Sequence, residues 1–202
     1  MVLTITLLNC NGRVGSAVAT MQSAGADVIL LTETKPSEGN PLPLPDGWRA
    51  FQAARPASQG SGGGVAALVR QRLAAEQWRS VPEDGVLWLR LPGALAGGRT
   101  LALAVCYHRP PAPGRAAAEE DADWYARRAA EWVAAVESDM VPVLTGDLNA
   151  HTATAPDWPA EEAGTPRCST DSKCDRRGML LLQFCADLGA CIANGRAAGD
   201  SS

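Results

Sequence analysis

Lysine is nearly missing from this chain, standing only at Lys35 and Lys173, and the formal net charge is −4. That balance excludes a general nucleic-acid binder, because backbone affinity comes from Lys and Arg displacing counterions; an enzyme that visits DNA briefly would rely on a local basic rim. The other basic residues are Arg, which phosphate recognition favours, although a bias toward Ala, Arg, Gly and Pro along the whole chain accounts for most of that pattern. No apolar run approaches a membrane span, and Met1–Leu8 is too short and too Thr-rich for a secretion signal, so the expectation is a soluble, intracellular protein. A basic localisation run is also missing. The six cysteines lie mostly inside apolar runs, without the dense spacing of a disulfide framework, and are expected to be reduced. Cys168 and Cys174 are spaced too widely for a zinc knuckle and no second pair stands near, which argues against zinc. Gly62-Gly63-Gly64 precedes a strand and no Gly-Lys-Ser/Thr follows it, so it reads as a tight turn and not as a phosphate loop.

What the chain does contain is enough for one domain with a core: 202 residues, 46% of them hydrophobic, without a break in composition. Strands are predicted at Val2–Leu8, Asp27–Leu31, near Trp48–Phe51, at Val65–Arg70, near Val86–Leu91, at Thr100–Tyr107 and at Val141–Leu144. Pro36–Gly47 reads as a Pro-rich loop. Helices are predicted over Ser16–Gly25, Glu119–Glu137 and Asp175–Leu188. In the second, Tyr125, Ala129, Trp132, Val133 and Val136 form the expected apolar stripe, with Arg127, Arg128 and Glu131 toward solvent; in the third, Leu181, Phe184, Cys185 and Leu188 form the buried side. Strands alternating with amphipathic helices indicate an α/β protein.

Three polar patches each follow an apolar strand: Leu8-Asn9-Cys10-Asn11-Gly12, Leu31-Thr32-Glu33-Thr34-Lys35 and Thr145-Gly146-Asp147-Leu148-Asn149-Ala150-His151. Any one of them alone reads first as turn chemistry, since Asp, Asn and Asn-Gly are ordinary turn formers. Three oxygen-rich patches at strand carboxyl ends favour a shared site, because that is where open α/β sheets bind ligands. Such oxygens suit a hard divalent cation, magnesium better than zinc. Glu33 is the expected metal ligand, Asn9 a neutral oxygen ligand or orienting group beside it, and Asp147 with Asn149 a pair able to orient a water and a phosphoryl oxygen.

These patches, together with Ala104-Val105-Cys106-Tyr107-His108-Arg109-Pro110-Pro111, resemble in residues and in order the successive motifs of the endonuclease/exonuclease/phosphatase superfamily. Gly62-Gly63-Gly64-Val65-Ala66, the Tyr-x-Arg-Pro-Pro run, Asp175-Arg176-Arg177-Gly178 and Ile192-Ala193-Asn194-Gly195-Arg196 narrow the resemblance to endonuclease domains of non-LTR retrotransposons. The resemblance covers essentially all of the chain. It implies a four-layer sandwich of two mixed β-sheets flanked by helices, residues 1–202 forming a single domain. It places Asn9 and Glu33 at a Mg²⁺ or Mn²⁺ ion, Tyr107 at the scissile phosphate, and Asp147 and Asn149 at the attacking water and the transition state. It implies substrate contacts for Asn11 and His151.

The resemblance also implies a Thr- or Ser-bearing strand, an Asp-containing strand and a Ser-Asp-His triplet after Arg196, and none of these is present; histidine occurs only at His108 and His151. The expectation is therefore a domain incomplete at its carboxyl terminus, inactive as it stands, from a Mg-dependent phosphodiesterase that nicks DNA. The parent polyprotein would carry a downstream reverse transcriptase and act in the nucleus. The alternatives are a non-catalytic relict and another phosphoesterase of the same superfamily, an inositol or lipid phosphatase or a ribonuclease.

Overall fold

A computed structural model of the chain describes residues 2–35, 42–54, 63–110, 115–157, 167–169 and 171–194, the side chains of 115–117 excepted. Of the expected features, Gly62, residues 36–41 of the Pro36–Gly47 loop, Pro111, Gly195 and Arg196 lie outside the described residues. The chain divides into two compact units, one of residues 1–109 with 135–148 and one of residues 110–134 with 149–202.

The first unit holds two four-stranded sheets. One contains β1 (Ile5–Asn9), β2 (Val28–Thr32), β4 (Val65–Arg70) and β3 (Trp48–Ala53), in that order; β1 and β2 are parallel and the rest antiparallel. The other contains β5 (Glu76–Val81), β6 (Val86–Leu91), β7 (Thr100–Tyr107) and β8 (Met140–Asp147), with only β7 and β8 parallel. Both sheets are thus mixed, as expected.

Side-chain alternation along the strands explains the packing. Val28 and Leu30, Val65, Ala67 and Val69, Leu87, Leu89 and Leu91, and Leu101, Leu103 and Val105 come from both sheets and form one buried core. Each leucine there contributes about 1.5–3 kcal/mol by leaving water. The alternate residues Ile29, Leu31, Trp48, Ala66 and Leu68 pack with Ala17 and Val18 of α1 (Val14–Ser23), which covers the outer face of the first sheet. Helix α1 starts two residues before its predicted position. β5 lies outside the strands expected from the sequence: it is an edge strand whose residues are exposed or half-buried, so it carries no apolar run.

The second unit carries most of α2 (Arg115–Glu137) and all of α3 (Arg176–Leu188). Asp175 caps α3 by accepting from the Gly178 N–H at 2.8 Å. Leu182, Phe184 and Cys185 are buried, with Leu181 and Leu188 half-buried beside them, close to the expected face. The face predicted for α2 needs correction. Val133 and Val136 are exposed, whereas Arg128 and Glu131 are buried and joined by two hydrogen bonds of 2.7 and 2.9 Å. The Arg128 guanidinium also lies 5.0 Å from the Trp124 ring centroid. Two opposite charges that satisfy each other can occupy a buried stripe that hydropathy assigns to valine. A second buried pair, Arg177 to Asp121 at 2.6 Å, joins α3 to α2.

Candidate active site

Within the first unit, Asn9 ends the edge strand β1 and Asp147 ends the edge strand β8 of the other sheet. Alternation puts Asn9 on the side of Ile5, which packs on the inter-sheet core. Its Nδ2 donates to Glu33 Oε1 at 2.8 Å and to Asp147 Oδ2 at 3.1 Å. One carboxamide therefore ties together two carboxylates from different sheets. The Asn11 backbone N–H donates to Asn9 Oδ1 at 3.2 Å, which fixes the amide orientation from its other end.

Glu33 departs from strand geometry. Val28 and Leu30 face the inter-sheet core while Ile29 and Leu31 face α1, so an extended residue 33 would point toward α1. A left-handed backbone, φ 53°, breaks the alternation, and the carboxylate meets Asn9 instead. Of seven described non-glycine residues with positive φ, four belong to the polar patches: Asn11, Glu33, Lys35 and Asn149. Such conformations cost energy and persist where the surroundings enforce them. Here the enforcement is backbone pairing: Gly12 N–H to the Glu33 carbonyl at 2.8 Å, Thr34 N–H to Gly64 at 3.2 Å and Lys35 N–H to Gly63 at 3.0 Å. The hydroxyls of Thr32 and Thr34, on either side of Glu33, are buried without a hydrogen-bond partner among the described residues. Beneath, the Cys10 Sγ donates to the Thr32 carbonyl at 3.2 Å, and burial pushes its thiol pKa up.

The end of the second sheet is built differently. Tyr107 and Asp147 are direct partners across the parallel pair β7–β8, so their side chains share a face, and Tyr107 packs on the inter-sheet core. The Asp147 carbonyl accepts from the His108 N–H at 2.9 Å. Gly146, just before Asp147, has φ 142°, and a Cβ there would lie 1.9 Å from the Cys106 carbonyl oxygen. Only glycine lets β8 lie this close to β7.

The structure thus brings Asn9, Glu33 and Asp147 into direct contact, joins Asn11 to them through its backbone, and sets Tyr107 beside Asp147. Lys35 was not assigned a role from the sequence, yet its Nζ donates to Asn11 Oδ1 and lies 3.5 Å from Glu33 Oε2. Its spacing of two from Glu33 was the available signal. Among the described residues, no group of three or more His, Cys, Asp and Glu gathers as a metal cluster. Instead, two carboxylate oxygens, hard donors that suit a small divalent cation, converge within 3.1 Å of the Asn9 Nδ2, while the Asn9 Oδ1 is held by the Asn11 N–H.

Asn149 and His151 belong to the second unit. There, His151 Nδ1 lies 2.5 Å from Asp171 Oδ2. The Lys173 backbone N–H, and then the bond from His151, hold the Asp171 carboxyl below the ordinary carboxylate range. The His151 N–H donates to Asp175 Oδ1 at 3.3 Å, and the Asp175 N–H returns a bond to the His151 carbonyl at 2.9 Å. A Cβ at Gly178 would sit 1.8 Å from that same carbonyl, so α3 starts directly against His151.

The pattern described as the Endonuclease/Exonuclease/phosphatase family matches residues 7–171. No curated protein matches the chain. Among solved structures, the 3'-5' exonuclease NExo from Neisseria meningitidis is similar at 19% identity and a TM-score of 0.57, over 89% of this chain and 70% of that one. The catalytic domain of Xenopus laevis APE2 gives 18% and 0.58, over 89% and 67%. An AP endonuclease from Archaeoglobus fulgidus gives 18% and 0.53, over 77% of this chain and 60% of its own length. At these identities the likeness establishes the two-sheet fold.

Proposed function

The chain belongs to the endonuclease/exonuclease/phosphatase family, and on that premise we propose that it is the metal- and phosphate-binding part of a phosphodiesterase that nicks DNA. The observation that carries this reading is the meeting of Glu33 and Asp147 on the Asn9 amide. Glu33 and Asn9 would hold Mg²⁺ or Mn²⁺, which when bound neutralises charge developing on a phosphoryl oxygen. Asp147, with Asn149, orients the water whose oxygen joins phosphorus as the bond to the 3′ oxygen breaks and the leaving oxygen takes up a proton. Tyr107 contacts the scissile phosphate, and Asn11 and His151 contact the substrate. The neighbours' descriptions as exonuclease and AP endonuclease support a nucleic-acid substrate.

The finer reading is the non-LTR retrotransposon type, supported by Tyr107-His108-Arg109-Pro110-Pro111 and Asn194-Gly195-Arg196, with residues 1–202 one domain and a reverse transcriptase as its partner in the parent protein. In that reading the 202 residues, lacking a Ser-Asp-His triplet, nick DNA at background rate. Among the described residues no helix is long and apolar enough to cross a membrane.

The test is Mn²⁺ titration of the chain against Glu33→Gln and Asp147→Asn. Both variants should bind at least about tenfold more weakly, since each removes a charged ligand or neighbour of the ion. Equal affinity in Glu33→Gln would remove Glu33 from the site. Vigorous nicking of supercoiled plasmid by the 202-residue chain, lost in Glu33→Gln, would sink the background-rate reading and keep the phosphodiesterase.

A further inference from the structure

Lys35 takes no part in the reaction above, yet it closes a ring of polar contacts. Its ammonium donates to Asn11 Oδ1 and pairs with Glu33 Oε2 at 3.5 Å. Asn11 holds Asn9 through its backbone N–H, and Asn9 holds Glu33 and Asp147. The ring is built on strained backbone, with φ of 42° at Asn11, 53° at Glu33 and 43° at Lys35. Gly12 lies beside the lysine stem: a Cβ there would be in ordinary contact with Lys35 Cδ at 3.5 Å, and its own φ is 79°.

Stability does not account for this arrangement. The Lys35 side chain is 36% exposed, and an ion pair so placed contributes little to folding. Its electrostatic effect at the site is larger. Glu33 and Asp147 bring two negative charges onto a neutral amide, and Lys35 offsets one of them on the carboxylate oxygen that Asn9 leaves open.

We propose that Lys35 is a tethered counter-cation that competes with the divalent ion for Glu33 Oε2 and so sets the cation affinity of the site. This rests on the reading of Glu33 as a metal ligand. A lysine in this position loosens the ion's hold, which keeps the site responsive to ambient cation concentration instead of permanently loaded.

The experiment is Mn²⁺ binding to the full chain, followed by loss of the free-ion electron paramagnetic resonance signal, with Lys35→Met, Lys35→Gln, Lys35→Arg and Glu33→Gln compared. Circular dichroism melting checks that each is folded. Removing the positive charge should tighten Mn²⁺ by about tenfold at low salt, and the gain should shrink as salt screens the charge. Lys35→Arg, which keeps the charge, should stay within about twofold of the parent. Unchanged or weaker binding in folded Lys35→Met and Lys35→Gln, with Glu33→Gln still losing the ion, overturns the role of Lys35 and leaves the metal reading standing. No Mn²⁺ binding by the parent chain overturns both.

Discussion

In the first sheet the parallel pair β1–β2 ends in Asn9 and Thr32, with Glu33 directly after; in the second, the parallel pair β7–β8 ends in Tyr107 and Asp147. Counted from the parallel edge, the orders β1-β2-β4-β3 and β8-β7-β6-β5 repeat one plan, with a helix between the two strands of each pair in the chain. The finish of the two ends differs. The first places its groups by bending the chain into left-handed turns held by loop hydrogen bonds, and the second keeps strand register and relies on a glycine in tight backbone contact. The first end can therefore shift locally, whereas the second can change only by parting β7 from β8.

The largest test is Gly146→Ala. With 1.9 Å between its Cβ and the Cys106 carbonyl, the substitution must move backbone and should cost at least about 3 kcal/mol in urea unfolding. A loss below about 1 kcal/mol would show the second end to be as adaptable as the first. Gly12→Ala is the matched change at the first end. There the new methyl meets only the lysine stem at 3.5 Å, so the cost is the positive φ alone, about 1 kcal/mol. A comparable loss from both glycines would erase the contrast.

A smaller effect concerns the bridge between the ends. Asn9→Ala and Asp147→Ala, alone and combined, should show a coupling of about 0.5 kcal/mol in stability, the low end for one hydrogen bond because this one is exposed. Additive losses would mean that the ends fold independently of each other.

The subtlest probe uses one buried thiol at each end, Cys10 and Cys106. Alkylation of the native protein, read by mass spectrometry, should modify Cys10 before Cys106, because local opening of the loops suffices to expose it. Burial raises the Cys10 pKa, so its contribution to stability is complete below the unfolded thiol's ordinary value of 9.0 and is lost as pH rises through the higher folded value. Cys10→Ala should therefore flatten the alkaline fall in stability. An unchanged slope would place the titrating group elsewhere.

Much of this was legible because apolar strands announce themselves and polar residues at their ends stand out. Asn9, Glu33 and Asp147 stood out by their place after apolar strands, and the structure brings the three side chains together. β5 escaped notice because an exposed edge strand has no hydrophobic signature, and the α2 face was misread because pattern reasoning sees Arg128 and Glu131 as two charges and not as one satisfied pair. The contacts of Lys35 were hidden for another reason: they depend on left-handed turns at non-glycine residues, which no periodicity reports.

The Asn9–Asp147 bond spans 138 positions of sequence. Contacts that long form late, since the loop they close is costly in entropy until other contacts have shortened it. A chain emerging from the ribosome can complete β1, β2 and their turns while Asp147 is still unsynthesised. The full cation affinity of the proposed site, with the Asp147 charge in place, should therefore appear only in the closing stage of folding. Stopped-flow refolding followed by Mn²⁺ uptake would time the docking of the two sheets, the proposed ligands Glu33 and Asn9 binding weakly until the Asp147 charge arrives beside them.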